Sequence, residues 1–319
     1  MPSRLGSIPL VRRIEYLEVY LEGLVKRLSK SEMEASLMER KTGFEYEKNA
    51  ALGRGAIQSK RNLQAPYLLR YCFRLSRDLG FISLRGKDAH ISDKGVRFLQ
   101  SGELERIVLF SEAYSEAYPH LYVLVDALSR AGGAFSLSVV KASFDSEAER
   151  LGLRMSQVVY DAVRDVATYL GLVNWFMSGT GSMRGQHVYL ACRLLDEPQS
   201  LYDVRLWTGD KWLYCAESVV DGDVFRSELW ESYRDLTGGV PGSPVIYSQI
   251  RDEVCSLLRI RDDQFDSRLM DMIEGDEVLR VYGSEGTLPY GRESAGMLKS
   301  LPPKNVWGDY IVFLRITGK

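Results

Sequence analysis

Residues 64–99 read QAPYLLRYCFRLSRDLGFISLRGKDAHISDKGVRFL, and the order of local signals in this stretch sets the fold class. Pro66 suits the first turn of a helix, where its missing N–H would have no intrahelical partner anyway. Leu68, Cys72, Leu75 and Leu79 then recur at spacings of 4, 3 and 4 and form one apolar helical face. Gly80 follows as a C-cap. Phe81–Leu84 reads as a short strand, Arg85–Asp88 as a turn and Ala89–Ile91 as a returning strand. Ser92 or Asp93 caps a final helix that carries Val96 and Leu99.

Working outward, the same order of signals recurs twice more. The second copy covers about residues 118–195, with helices at Leu121–Arg130 and Ser138–Leu151. Its third helix is capped by Ser156 and turns Val159, Ala162, Val163, Val166 and Leu170 inward. Gly171 ends that helix, and Leu172–Met177 and His187–Cys192 flank the glycine-rich hairpin 178–186. In the third copy, from about 223 to 319, helices are expected at Val224–Leu236, Val245–Leu258 and Asp263–Ile273. Strands follow at Val278–Tyr282 and Tyr310–Ile316, and the long connection 283–309 is either functional or poorly ordered. Between copies two and three, Leu194–Ala216 reads as a linker with a strand or two. Ahead of all three, Ile14, Leu17, Leu21, Leu24 and Leu28 form a stripe that either docks on its own domain or helps form a dimer.

Helix, helix, helix, strand, hairpin, strand resembles the winged helix-turn-helix superfamily. RDLGFISLRGKDAHISDKGVRFL carries the resemblance best: Leu79-Gly80 ends the third helix, Arg85–Asp88 is a basic wing, and Ser92–Gly95 opens the last helix. The expected fold is α+β, predominantly helical, with tandem winged-helix domains and short β-hairpin wings. The expected domains are 1–105, 106–197 and an acidic 198–319. The resemblance implies a DNA-binding role, although winged helices also serve as protein-docking modules.

Charge favours the first role for the N-terminal third. Lys+Arg number 41 against 43 Asp+Glu, yet residues 1–105 hold 19 basic and 13 acidic side chains while residues 198–319 hold 14 and 20. Arg54–Arg97 alone has ten basic and three acidic residues, a pole that would attract a polyanion. Arg70, Arg74 and Arg77 lie opposite the apolar face of the third helix, with Lys60 and Arg61 ahead of it and Arg85 and Lys87 at the wing. Guanidinium groups on one helical face suit guanine edges and phosphate alike. In the second copy Gln157, Tyr160, Asp161, Arg164 and Thr168 are expected to face solvent, and Gln157, Arg164 and the hairpin's Arg184 are the candidate DNA contacts there. The glycines of that hairpin miss the G-x-G-x-x-G spacing and read as wing flexibility. The third copy is expected to expose Asp266, Asp271 and Glu274, a face for a protein partner or self-association rather than for DNA.

Much enzymology is disfavoured. There is no G-x-S-x-G, H-E-x-x-H or G-x-x-x-x-G-K-[ST]. Cys72, Cys192, Cys215 and Cys255 form no C-x-x-C pair and read as buried thiols, while His90, His120 and His187 are scattered. Asp262, Asp263 and Asp266 read as helix-capping and first-turn acids rather than metal ligands. No cofactor, metal or catalytic residue is assigned, and the chain is expected not to be an enzyme. No apolar run is long enough for a membrane span and the N-terminus lacks a signal-peptide core, so a cytoplasmic protein is expected. The functional expectation is a double-stranded DNA-binding protein, either a transcriptional regulator or the recognition subunit of a DNA-processing or defence system. Some restriction enzymes use consecutive winged helices in that way. The alternative is a winged-helix interaction subunit of a larger chromosome or transcription complex.

Overall fold

The computed structural model describes residues 14–51, 65–86, 88–132, 135–178, 185–275, 279–284 and 310–316. Its helices are α1 (Glu15–Val25), α2 (Lys30–Ala51), α3 (Ala65–Asp78), α4 (Asp93–Gln100), α5 (Glu103–Ala117), α6 (His120–Ala131), α7 (Leu137–Arg150), α8 (Gln157–Tyr169), α9 (Gly222–Thr237), α10 (Tyr247–Leu258) and α11 (Asp262–Gly275). The strands are β1 (Ile82–Arg85), β2 (Asp88–Ile91), β3 (Phe135–Ser136), β4 (Val173–Ser178), β5 (Gly185–Leu190), β6 (Cys192–Leu195), β7 (Val204–Trp207), β8 (Trp212–Glu217), β9 (Val245–Ile246), β10 (Leu279–Ser284) and β11 (Tyr310–Ile316). The fold is α+β and predominantly helical. Small sheets run in the orders β1–β2, β3–β5–β4, β6–β8–β7 and β10–β11–β9.

Two compact units make up the chain. The first comprises Met1–Gly43, Ser59–Val173 and Cys192–Glu217, the second Phe44–Gln58, Asn174–Ala191 and Ser218–Lys319. The first unit runs through residue 105 without a break, so the threefold division at 105 and 197 stays a proposal about sequence repeats.

In the first unit, the 64–99 stretch folds for the reasons its sequence supplies. Leu68, Cys72, Leu75 and Leu79 are buried, and α3 packs on α1. After α3 the Phe81 N–H donates to the Ser76 carbonyl (2.8 Å) and the Gly80 N–H to that of Arg77 (3.0 Å). Gly80 sits at φ +73°, which an L side chain rarely adopts. The end of α8 repeats this geometry: Leu172 N–H donates to Ala167 O (2.9 Å), with Gly171 at φ +70°. Ser92, not Asp93, is the N-cap of α4; its Oγ accepts from the Gly95 N–H (3.1 Å) and donates to the Gly80 carbonyl (2.7 Å). One hydroxyl thereby ties the helix start to the turn before the β1–β2 hairpin. That hairpin pairs Ile82 with Ile91 and Arg85 with Asp88. Phe81 and Phe98 stack beneath it with centroids 4.7 Å apart.

The N-terminal stripe docks within its own unit: Ile14, Leu17 and Leu21 are buried and α1 packs on α3, α4 and β2. Residues 192–217 hold more structure than a linker. β8 pairs antiparallel with both β6 and β7, and β7 lies along α5. Ser111 Oγ of α5 accepts the Arg205 N–H (3.2 Å) and Ser115 Oγ accepts that of Trp207 (3.1 Å), so serine hydroxyls serve the outer edge of β7.

In the second unit, α9, α10 and α11 surround Phe225, Leu229, Ile250, Val254, Phe265 and Leu269, all buried. β11 pairs antiparallel with β10 and β9. The four cysteines are buried and form no disulfide.

Candidate functional site

On α3 the residues turned away from the core are Tyr67, Arg70, Arg74 and Arg77, one stripe at spacings of 3, 4 and 3. Arg70 and Tyr67 are exposed, and Arg70 makes no ion pair among the described residues. Arg74 and Arg77 differ from that expectation, because both meet the last residue of the helix. Arg77 donates from Nε (3.2 Å) and Nη2 (2.8 Å) to Asp78 Oδ1, and Arg74 Nε lies 3.9 Å from Oδ2. Asp78 Oδ2 also accepts the Tyr118 hydroxyl at 2.7 Å. Tyr118 is buried, and burial together with Asp78 pushes its hydroxyl well above the ordinary tyrosine range, so it stays a proton donor. The Arg74 side chain is 31 % exposed against 48 % for Arg77, so Arg74 is half-withdrawn from the surface. Arg85 is exposed at the end of β1, opposite Asp88. Lys60, Arg61 and Lys87 lie outside the described residues.

The second copy's helix does not present the expected polar face. Tyr160 is fully buried, with its ring edge-on to Phe144 at 5.4 Å. Arg164 is only 16 % exposed and is held by Asp165 (2.9 Å) and Asp161 (3.5 Å). Gln157 is exposed, but its amide donates to Asp161 Oδ1 (3.1 Å). Acids one to four positions away on the same helix thus occupy both candidate contacts. Arg184 and the tip 179–184 lie outside the described residues.

The third copy corrects another expectation. Asp266 is half-buried, and its Oδ1 accepts the Tyr247 hydroxyl at 2.6 Å. Arg251, 1 % exposed, donates to Asp266 Oδ2 (3.2 Å), lies 3.8 Å from Asp262 Oδ2, and stacks over Tyr247 at 5.6 Å. Burial pushes the Asp266 carboxyl up to about 6, against the pull of Arg251 and the Tyr247 hydroxyl. Asp262 and Asp263 occupy the first turn, as the helix dipole favours. The cap itself is completed by Gln264, whose side chain accepts the Arg261 N–H at 2.9 Å. Asp271 is exposed, and residues 285–309 of the long connection lie outside the described residues. Among the described residues no group of three or more His, Cys, Asp or Glu side chains is placed to hold a metal ion. His120 is buried with Nε2 3.3 Å from the Arg154 carbonyl, and His187 stacks on Phe176 at 5.2 Å.

Sequence reasoning missed Tyr67, Tyr118 and α5. Tyr67 was legible, standing three positions before Arg70 on the same face. Tyr118 was not, since 40 positions separate it from Asp78.

No protein-family model matches the chain, and no curated protein matches it by sequence. Among solved structures it is similar to the restriction endonuclease FokI, with a TM-score of 0.36, 13 % identity and 93 % of this chain covered. It is also similar to FokI bound to DNA, with a TM-score of 0.32, 13 % identity and 94 % covered. In both, the match spans 66 % of the FokI chain, less than two thirds. Likenesses this loose assign neither a family nor an activity. They do correct one expectation: the neighbours are structures of an enzyme, so the reading of this chain as a non-enzyme is withdrawn. No helix among the described residues is long and apolar enough to cross a membrane.

Proposed function

We propose that the chain binds double-stranded DNA through α3 and the β1–β2 hairpin, as a winged-helix module acting in transcriptional regulation or in the recognition step of a DNA-processing or defence system. The observation that carries this reading is the stripe on α3: three guanidinium groups and a tyrosine on the solvent side of one helix, followed directly by a hairpin bearing Arg85. A helix of this kind fits the major groove, and the hairpin reaches the neighbouring backbone. The order helix, short strand, helix, helix, hairpin in 120–190 and 222–316 supports two further modules of the same type. Arg70 is the leading base-reading candidate, because it is exposed without an ionic partner among the described residues. Lys60, Arg61 and Lys87 are proposed as phosphate contacts on charge alone. Gln157, Arg164 and Arg184 are weaker proposals, the first two being engaged by Asp161 and Asp165. The pairing of Arg74 and Arg77 with Asp78 favours the second reading, a protein-docking face.

Fluorescence anisotropy against a randomised duplex pool at several salt concentrations separates the two. DNA binding predicts affinity that falls steeply with salt as counterions are released. Arg70→Ala should then cost about 1–3 kcal/mol, and Arg164→Ala, whose guanidinium Asp161 and Asp165 already hold, should cost less. Absence of binding at low salt would overturn the DNA reading in favour of protein docking.

A further inference from the structure

The side of α9 turned away from the buried Phe225 and Leu229 borders a cavity of about 650 Å³ in the second unit. That volume falls within the range of about 300–1,000 Å³ usual for small-molecule sites. Val240, Pro241 and Ile316 complete the lining beyond the helix. This part is pinned: the Tyr233 hydroxyl donates to the Ser243 carbonyl at 2.7 Å, and the Gly242 N–H donates to the Ile316 carbonyl at 3.0 Å. A site fixed before binding loses less freedom when a ligand enters. Trp230 lines the cavity half-buried, and among the described residues its indole meets no other ring. One turn on, Arg234 Nη2 lies 3.9 Å from Glu231 Oε1, close enough to attract and too far to hydrogen-bond. Among the described residues neither side chain has a hydrogen-bond partner.

An indole face takes a planar aromatic ring, and the flanking groups select which one. A guanidinium offers only donors and a carboxylate only acceptors. Set side by side, they match the edge of guanine, where the O6 acceptor adjoins the N1 and N2 donors. Adenine, cytosine and uracil each offer a single donor position on that edge. The charges of the lining also balance, Asp223 and Glu231 against Arg226 and Arg234, which suits a neutral ring. We propose that this cavity binds a guanine base, with Trp230 stacked on the ring, Arg234 donating to O6 and Glu231 accepting from N1 and N2. The base is unpaired, and comes either from a free guanine nucleotide or from a guanine in single-stranded nucleic acid. The site uses no residue of α3, so it stands or falls apart from the duplex-binding reading above.

The test titrates the full chain with guanosine monophosphate by calorimetry, beside adenosine, cytidine and uridine monophosphates, which carry the same phosphate. The guanine nucleotide should bind roughly tenfold more tightly than the others, within what one bidentate base contact discriminates. Trp230→Leu should weaken it by roughly tenfold through lost stacking. Glu231→Gln, a change at an exposed side chain, should bring the guanine nucleotide down to the level of the adenine one and leave the latter unchanged. Melting curves establish that both variants fold. An oligothymidylate carrying one guanine, compared with oligothymidylate alone, identifies the source. Tighter binding than the free nucleotide points to a single strand, and weaker binding points to the nucleotide. Equal affinities for all four monophosphates, or a guanine preference that survives both substitutions, would overturn the proposal, as would absence of binding at millimolar nucleotide. Duplex binding is measured separately, so its failure would leave this site untouched.

Discussion

His120 illustrates how one side chain sets a pH dependence. It is 2 % exposed, its Nε2 lies 3.3 Å from the Arg154 carbonyl, and Nδ1 has no hydrogen-bond partner among the described residues. Burial lowers its proton affinity below the ordinary value of 6.5, and the carbonyl only partly offsets this. The unfolded chain therefore takes up a proton near pH 6.5 that the folded state resists. The linked stability is fully present above that pH and is lost as pH falls below it. Denaturant midpoints should drop between about pH 7 and pH 5, the range in which a histidine changes charge. His120→Gln, which cannot charge, should flatten the drop; an unchanged slope would assign the pH dependence to other groups. Arg70 and Arg164 give the complementary lesson at this scale. Both are helical arginines on a polar face, yet one is exposed and unpaired among the described residues and the other is held between two aspartates.

Elements show where local rules suffice. α2 begins at a capping box, with Ser29 Oγ accepting from Glu32 N–H (3.3 Å) and Glu32 Oε2 accepting from Ser29 N–H (2.7 Å). The pair Ser29-x-x-Glu32 was present in the sequence as a start signal for a helix that periodicity did not reveal. The turn into α4 depends on Gly95 for a different reason. A Cβ there would stand 2.2 Å from the Phe81 carbonyl oxygen and 2.8 Å from an Ile91 side-chain carbon. Alanine is the better helix former by up to about 1 kcal/mol, while overpacking against backbone costs about 3 kcal/mol, so the clash wins. Gly95→Ala should destabilise the unit by about 2 kcal/mol on the balance of those two effects. Gly102→Ala, whose Cβ meets nothing within 4 Å, serves as the control. Equal denaturant midpoints for the two variants would show that α4 can move away from β1.

At the scale of the whole molecule, the second compact unit is interlocked across sequence repeats. The hairpin of copy two, β4 and β5, is held by the α10–α11 turn of copy three. Asn174 Nδ2 lies 2.8 Å from the Tyr189 hydroxyl, 2.9 Å from Asp262 Oδ1 and 3.3 Å from the Ile260 carbonyl, and the Tyr189 hydroxyl donates to that carbonyl at 3.0 Å. Asp262 in turn faces the buried Arg251. The β4–β5 hairpin is therefore anchored in protein at its base. Removing the Asn174 amide leaves buried groups short of partners, at a cost of about 1–3 kcal/mol. Asn174→Ala should speed hydrogen exchange in β4 and β5 more than in α9. Uniform loss of protection across the unit would mean instead that the hairpin and the helices open together.

The sequence by itself determined the elements of 64–99 and of 223–319 and their order, but not α2, α5 or the β6–β8 sheet, because caps, turns and apolar spacing act over a few residues. Gly80, Ser92, Ser156 and Gly171 behave as their local context requires. The three helices and two strands expected in 223–319 are all present. It also placed Arg70, Arg74 and Arg77 opposite Leu68, Cys72 and Leu75. Tertiary structure alone decided which of those charges stay available. Asp78 acquires Tyr118 from 40 positions away, Arg251 and Asp266 meet across two helices, and Tyr160, polar by pattern, is packed against Phe144. Exposure and charge pairing depend on what the rest of the chain brings alongside a residue. Helical spacing settles only which side of its own helix that residue occupies.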